Sequence, residues 1–296
     1  LFADLLWLPE ENRLETEREF TERVRDDLTR ARSELETTYG VPIDSFAFPL
    51  GNETGIWGAN NFPKGAGITE REASRVYGTG FLQTNLNEYS YNYPGIRPFI
   101  GFRIHVDYDW DGERLLQEME HGLPKDIPFE DDFSNDTGWT PAWGDISVGR
   151  NNLSLQAREE SSSASTFLDG TRLWDNFSLE ATARWEDGSA LVLSGVENAK
   201  TYDACAFSDG VVRIQYTQGG VTRVAAEKKD ARIEPSENAR IGTRVRGYVI
   251  ECTWNYESIL EAYDRPHRGG IGFQVWDPTL GSATLSVSSI IVRETP

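Results

Sequence analysis

Basic residues, histidine, cysteine and methionine are the scarce ones in these 296 residues: 29 lysines and arginines stand against 48 acids, with three histidines, two cysteines and one methionine. The formal charge of −19 sets up a field that repels nucleic acid and anionic lipid, which excludes a phosphate-tracking role. It suits a neutral or cationic partner, a salty habitat, or plain solubility. Cys205 and Cys252 form no CxxC metal pair, and both one disulfide in a secreted protein and two buried thiols fit them. No apolar run reaches the roughly 20 residues that a membrane-spanning helix needs, so a span is not expected. The first eight residues are apolar but lack a basic leader and a small-residue cleavage site, so they do not read as a signal peptide. The absence of an initiator Met predicts a chain that begins inside a longer precursor or was cut from one.

What is present divides the chain in two, as its length suggests. In the first part, Phe20, Val24, Leu28, Ala31, Leu35 and Tyr39 recur at helical spacing over Leu14 to Tyr39. Thr16 and Glu19 make a capping-box pattern there, and Gly40 supplies the stop. A short apolar strand, Phe46 to Pro49, follows and runs into a loop from Gly51 to Gly67. Long loops at strand ends commonly carry function, so Asn52, Trp57, Asn60 and Asn61 become candidates for lining a cleft. A second helix is predicted over Thr69 to Tyr77, capped by Thr69 and Glu72, then strands at Phe81 to Thr84 and Phe99 to Val106, and a last helix at Gly112 to His121. This alternation predicts an α/β layered domain over residues 1–122, with 123–128 as a linker. Three strands cannot close a barrel, so the expectation is that further strands come from polypeptide preceding Leu1 or from a partner.

After the linker the pattern changes to period two, as in Phe177, Leu179, Ala181; Val212, Ile214, Tyr216; and Ile271, Phe273, Val275. Turn punctuation at Glu186-Asp187-Gly188, Ser208-Asp209-Gly210 and Gln218-Gly219-Gly220 separates the runs. Ten or more short strands with no helix between them predict an antiparallel sandwich or barrel over 129–296.

Arg13-Leu14-Glu15-Thr16, Arg25-Asp26-Asp27-Leu28, Phe46-Ala47-Phe48-Pro49-Leu50-Gly51, Gly78-Thr79-Gly80-Phe81 and Arg103-Ile104 together resemble the C-terminal half of the polysaccharide deacetylases, carbohydrate esterase family 4 with its NodB homology domain. The resemblance implies a partial (β/α) deacetylase barrel, N-acetylated amino-sugar polymer as partner, and a divalent metal such as zinc that polarises the amide and activates water. The family's ligand motifs have no counterpart here, so the metal ligands are expected outside this chain, with an N-terminal polypeptide completing the barrel. Carried over residue by residue, Pro49, Leu50 and Gly51 match the loop beside the acetyl group, and His105 falls near the family's general acid. Trp110 becomes a wall of the sugar cleft.

The second part, through Asp131-Asp132-Phe133 with Gly138-Trp139, Arg172-Leu173-Trp174-Asp175 and Gly269-Gly270-Ile271-Gly272-Phe273, resembles the concanavalin A-like, laminin G type sandwiches appended to carbohydrate-active enzymes. Sugar rings stack on indoles, so Trp139, Trp143, Trp185, Trp254 or Trp276 could form a platform, against core packing as the alternative for each. Asp131, Asp132 or Asp277 could hold calcium. The expected fold is therefore α/β plus all-β, and the expected function the C-terminal part of an extracellular or surface polysaccharide deacetylase with a glycan-holding sandwich. The alternatives are a non-catalytic carbohydrate-binding protein and a structural module completing a partner's barrel.

Overall fold

The structure, a computed structural model, describes residues 4–48, 61–83, 91–93, 95, 98–104, 106–158, 162–234, 238–279 and 282–295. The described residues fall into two compact units, one ending at Val106 and one beginning at Asp107. The helix Gly112–His121 therefore belongs with the second unit.

In the first unit, strands β1 (Trp7–Leu8) and β2 (Arg13–Leu14) form a small antiparallel ribbon. Helix α1 (Glu17–Tyr39) starts where the capping box predicts: Thr16 accepts from the Glu19 backbone, and Glu19 reaches back to the Thr16 N–H. Only its first half carries a core face. Phe20, Val24 and Leu28 are buried, whereas Leu35 and Tyr39 keep 41% and 68% of their surface in water, so the apolar period outruns the packing. Helix α2 (Gly65–Val76) opens four residues before the predicted start, and Lys64 at its N-cap makes no side-chain capping bond. Thr69 and Glu72 lie inside it and are fully buried. Glu72 accepts from Arg25 Nε (2.9 Å), Arg71 Nε (3.3 Å) and Arg75 Nη1 (2.6 and 2.8 Å), so the apparent cap is an ion-pair centre tying α1 to α2.

Strands β3 (Ser45–Ala47), β4 (Thr79–Gln83) and β5 (Ile100–Arg103) make a three-stranded parallel sheet in that order. The partial (β/α) barrel is not found: the described residues give a short open sheet, and the bulk of the chain is antiparallel. The alternation of helix and strand was compatible with a barrel, but β3 and β5 are only three and four residues long, too short to build a barrel wall.

The second unit holds α3 (Gly112–His121), capped by Asp111 accepting from the Arg114 N–H (2.8 Å), and fifteen strands. They are β6 (Phe129–Asp131), β7 (Trp139–Trp143), β8 (Asp145–Gly149), β9 (Asn152–Gln156), β10 (Ser163–Leu168), β11 (Phe177–Glu186), β12 (Ser189–Asn198), β13 (Thr201–Ser208), β14 (Val211–Gln218), β15 (Val221–Lys229), β16 (Ala239–Arg246), β17 (Val249–Trp254), β18 (Glu257–Tyr263), β19 (Gly270–Trp276) and β20 (Thr284–Glu294). One sheet has the order β15-β14-β13-β12-β19-β10-β7, the other β18-β17-β16-β11-β20-β9-β8, with β6 on β20. All pairings in both are antiparallel.

Turn chemistry sets the register where it can. Gly219 and Gly220 both take positive φ between Gln218 and Val221, a two-residue hairpin whose twist matches the flanking strands. Asp187 and Gly188 share that conformation but join β11 to β12, which lie in different sheets, so the same signal marks a crossover. Between the sheets, Leu179, Trp185, Val192, Phe207, Ile214, Ile241, Ile250, Phe273 and Leu285 are among the buried side chains of one continuous core. Cys205 on β13 and Cys252 on β17 form a disulfide that staples one sheet to the other. Of the two alternatives open from sequence, the disulfide is the one realised.

Candidate functional site

A sheet with one wet face alternates buried and exposed residues, and β11 does so along its length. Strands β10, β12, β13 and β19 instead bury nearly every residue on both faces. Their inward side chains join the main core, and the outward ones form a second apolar cluster: Phe167, Leu191, Leu193, Tyr202, Ala204 and Ala206. Tyr202 Oη donates to Gln274 Oε1 on this face (3.1 Å), and burial pushes the Tyr202 phenol up from its ordinary pKa.

At one end this face opens. The register places Ser163, Trp276, Ser189 and Ser208 side by side on β10, β19, β12 and β13. Because Val275 points into the core, Trp276 points out, and it keeps 42% of its surface exposed. It borders an open hollow of about 580 Å³ with Ser189, Ser208, Val211, Arg213, Gln215 and Val224. Ser189 and Ser208 share a hydrogen bond (2.7 Å), and Arg213 Nε donates to Glu227 Oε2 (2.6 Å). Gly188 closes the turn beside this hollow: it has φ +57°, and a Cβ there would lie 2.1 Å from the Trp276 carbonyl oxygen. Next to this row, Trp143 Nε1 donates to Ser163 Oγ (2.8 Å), and Trp143 lies opposite Ser165 on the same face.

Such a site presents an apolar indole flanked by hydroxyl, amide and guanidinium groups. That combination suits a ring with one apolar and one hydrogen-bonding side. Asp209 also lines the hollow, and Glu227 lies on the same face opposite Arg213, so carboxylates stand beside it as well. Asp203 on β13 faces inward, where it pairs with His267 Nδ1 (2.6 Å) and Arg265 Nη2 (2.7 Å).

The other residues picked out in the sequence lie elsewhere. Pro49, Leu50, Gly51, Asn52, Trp57 and His105 lie outside the described residues. Trp110 is half-buried with the Arg114 guanidinium 5.7 Å from its ring centroid. Trp139 is a core residue: it is buried against Phe133 and Phe273, and its Nε1 donates to Asp131 Oδ2 (2.9 Å), which leaves no face for a sugar. Trp185 and Trp254 pack edge to face in the interior. The Asp131 carboxylate also accepts from the Phe133 N–H (2.7 Å), Asp132 from the Ser134 N–H (3.0 Å), and Asp277 from Thr279 N–H and Oγ1 (both 2.7 Å). These acids act as turn-closing acceptors, and no group of three or more His, Cys, Asp or Glu able to hold a metal occurs among the described residues. Sequence reasoning missed Ser189, Ser208, Arg213 and Gln215; only their register against Trp276 brings them together.

Comparison with family models and with curated proteins gives no match. Solved structures similar to this chain include the carbohydrate-binding module CBM66 from Bacillus subtilis, at 17% identity and TM-score 0.44, over 51% of this chain and 94% of that one. A Bacillus licheniformis beta-glucanase matches at 13% identity and TM-score 0.44, over 56% and 98%. The laminarinase from Rhodothermus marinus matches at 15% and 0.41, over 58% and 100%. At these scores they fix neither a family nor an activity. The likeness to polysaccharide deacetylases is set aside. Neither the family models nor the curated proteins return that family, and the described residues form no barrel.

Proposed function

We propose that the sandwich binds a glycan, with Trp276 as the stacking platform and Ser208, Gln215 and Arg213 as hydrogen-bonding partners. The observation that carries this reading is an indole 42% exposed at the border of an open hollow that also contains hydroxyl, amide and guanidinium groups. Large aromatics are costly to leave in water, and one held outward beside converging polar groups is the usual form of a sugar platform. An extracellular or surface location goes with it, because the buried Cys205–Cys252 disulfide needs an oxidising compartment to form and persist. No helix is long and apolar enough to cross a membrane among the described residues.

Isothermal titration with short neutral oligosaccharides, N-acetylated amino-sugar oligomers among them, tests the reading. Trp276→Ala is expected to cost about 2 kcal/mol of binding, more than tenfold in Kd, since the indole's stacking area is lost. Its Tm should stay close to that of the parent, because the side chain points away from the core. Unchanged affinity in Trp276→Ala, or no binding to any glycan tried, would overturn the reading.

A further inference from the structure

The charges around this hollow decide which glycans it can take. Arg213 and Asp209 are the charged residues that line it. Arg213 stands opposite Glu227 in the β14–β15 register, and the two form an ion pair on the outward face. On its other side Arg213 faces Ala206, which offers the guanidinium nothing. Lys229, opposite Val211, is the other cation of β15 on this face; Lys228 turns inward and donates to the Ile259 carbonyl. Asp209 is exposed in the β13–β14 turn. Two cations thus face two anions, inside a chain whose net charge is −19.

Resting on the binding reading above, we infer that Glu227 is a specificity-determining residue: by neutralising Arg213 it restricts the Trp276 hollow to uncharged glycans and excludes uronic-acid and sulfated ones. An incoming carboxylate meets a guanidinium whose charge Glu227 already neutralises, and it is repelled by Glu227 itself. It therefore gains little net attraction while it desolvates itself in a negative field. A neutral sugar hydroxyl carries no charge for Glu227 to repel, and the guanidinium, with five N–H donors of which Glu227 occupies one through Nε, still has donors for it. The pair is partly exposed, with side-chain exposures of 31% and 45%, so the restriction is one of charge balance and not of a closed wall.

A glycan array carrying neutral, uronic-acid and sulfated oligosaccharides, read with the parent, Glu227→Gln and Trp276→Ala, tests this. The parent should bind neutral glycans alone. Glu227→Gln should leave that binding unchanged within about twofold and should gain on the order of tenfold toward uronic-acid glycans, the worth of a charge-assisted bond to a freed arginine. The gained binding should weaken as salt is raised. The double variant Arg213→Gln, Glu227→Gln should show no such gain, which separates the freed guanidinium from a mere loss of negative charge. Acidic glycans bound by the parent as tightly as neutral ones, or no gain in Glu227→Gln, would overturn the inference while leaving Trp276 as a platform. Binding insensitive to Trp276→Ala, or no binding at all, would overturn the platform and the inference with it.

Discussion

Replacing both cysteines of the sheet-to-sheet staple, as Cys205→Ala, Cys252→Ala, should lower stability by an amount that the chain geometry supplies. The bond closes a loop over a sequence separation of 47, and the loop-entropy relation then gives about 4 kcal/mol at 25 °C. Both sulfurs lie in the interior, so the alanines also lose some packing, which adds to the effect. For a domain of this size each kcal/mol moves Tm by about 2–4 °C, so a fall of roughly 8–16 °C is expected. Differential scanning calorimetry on the parent and the double variant reads it. The parent should keep its Tm during brief exposure to a mild reductant, because neither sulfur is accessible until the sandwich opens. A fall smaller than about 3 °C would refute the reasoning, since it would mean that the two sheets hold their register without the cross-link.

Three further outcomes follow from charged groups. Burial pushes the Asp169 carboxyl up to about 7, against the pull of Thr140 and Lys125, so the folded state holds a proton there that the unfolded state releases near pH 4. Its contribution to stability is therefore present at low pH and lost as pH rises through 7. The Tm difference between Asp169→Asn and the parent should then be more favourable to the variant at pH 8 than at pH 5; an equal difference at both pH values would contradict this. Glu72→Ala should strip the shared partner from Arg25, Arg71 and Arg75, which are about half exposed and stay hydrated, and destabilise the first unit by roughly 1–3 kcal/mol, seen as an earlier transition in chemical denaturation. Raising NaCl from about 0.01 to 1 M shortens the screening length from roughly 30 to 3 Å and should raise Tm, because self-repulsion at a net −19 outweighs the loss of exposed ion pairs. A falling Tm would reverse that ranking.

The parts legible in the sequence were those governed by local chemistry. Thr16 and Glu19 marked the start of α1, and Gly112–His121 was readable end to end, because capping and helical period act over a few residues. The alternation Phe177, Leu179, Ala181 likewise marks a real strand with one face on the core. The second capping pattern failed because Thr69 and Glu72 also suit a buried turn of helix once three arginines surround the carboxylate. The barrel failed for a related reason: Ser45 to Ala47 and its neighbours specify short parallel strands, and nothing local states how many strands a sheet will have. The candidate site was half legible. Trp143 and Trp276 could be picked out as aromatics, but telling them from Trp139, Trp185 and Trp254 requires knowing which face of the sheet each occupies. That depends on register: Trp276 follows an inward Val275 and lies opposite Ser189, facts settled by pairing between β12 and β19.

The location of a bound glycan tests the central claim most directly. A crystal of the protein soaked with a neutral oligosaccharide that it binds in solution should show a pyranose ring stacked on Trp276, with hydroxyls within hydrogen-bond distance of Ser208, Gln215 or Arg213. A sugar seated anywhere else on the sandwich, with the Trp276 indole still in water, would contradict the account.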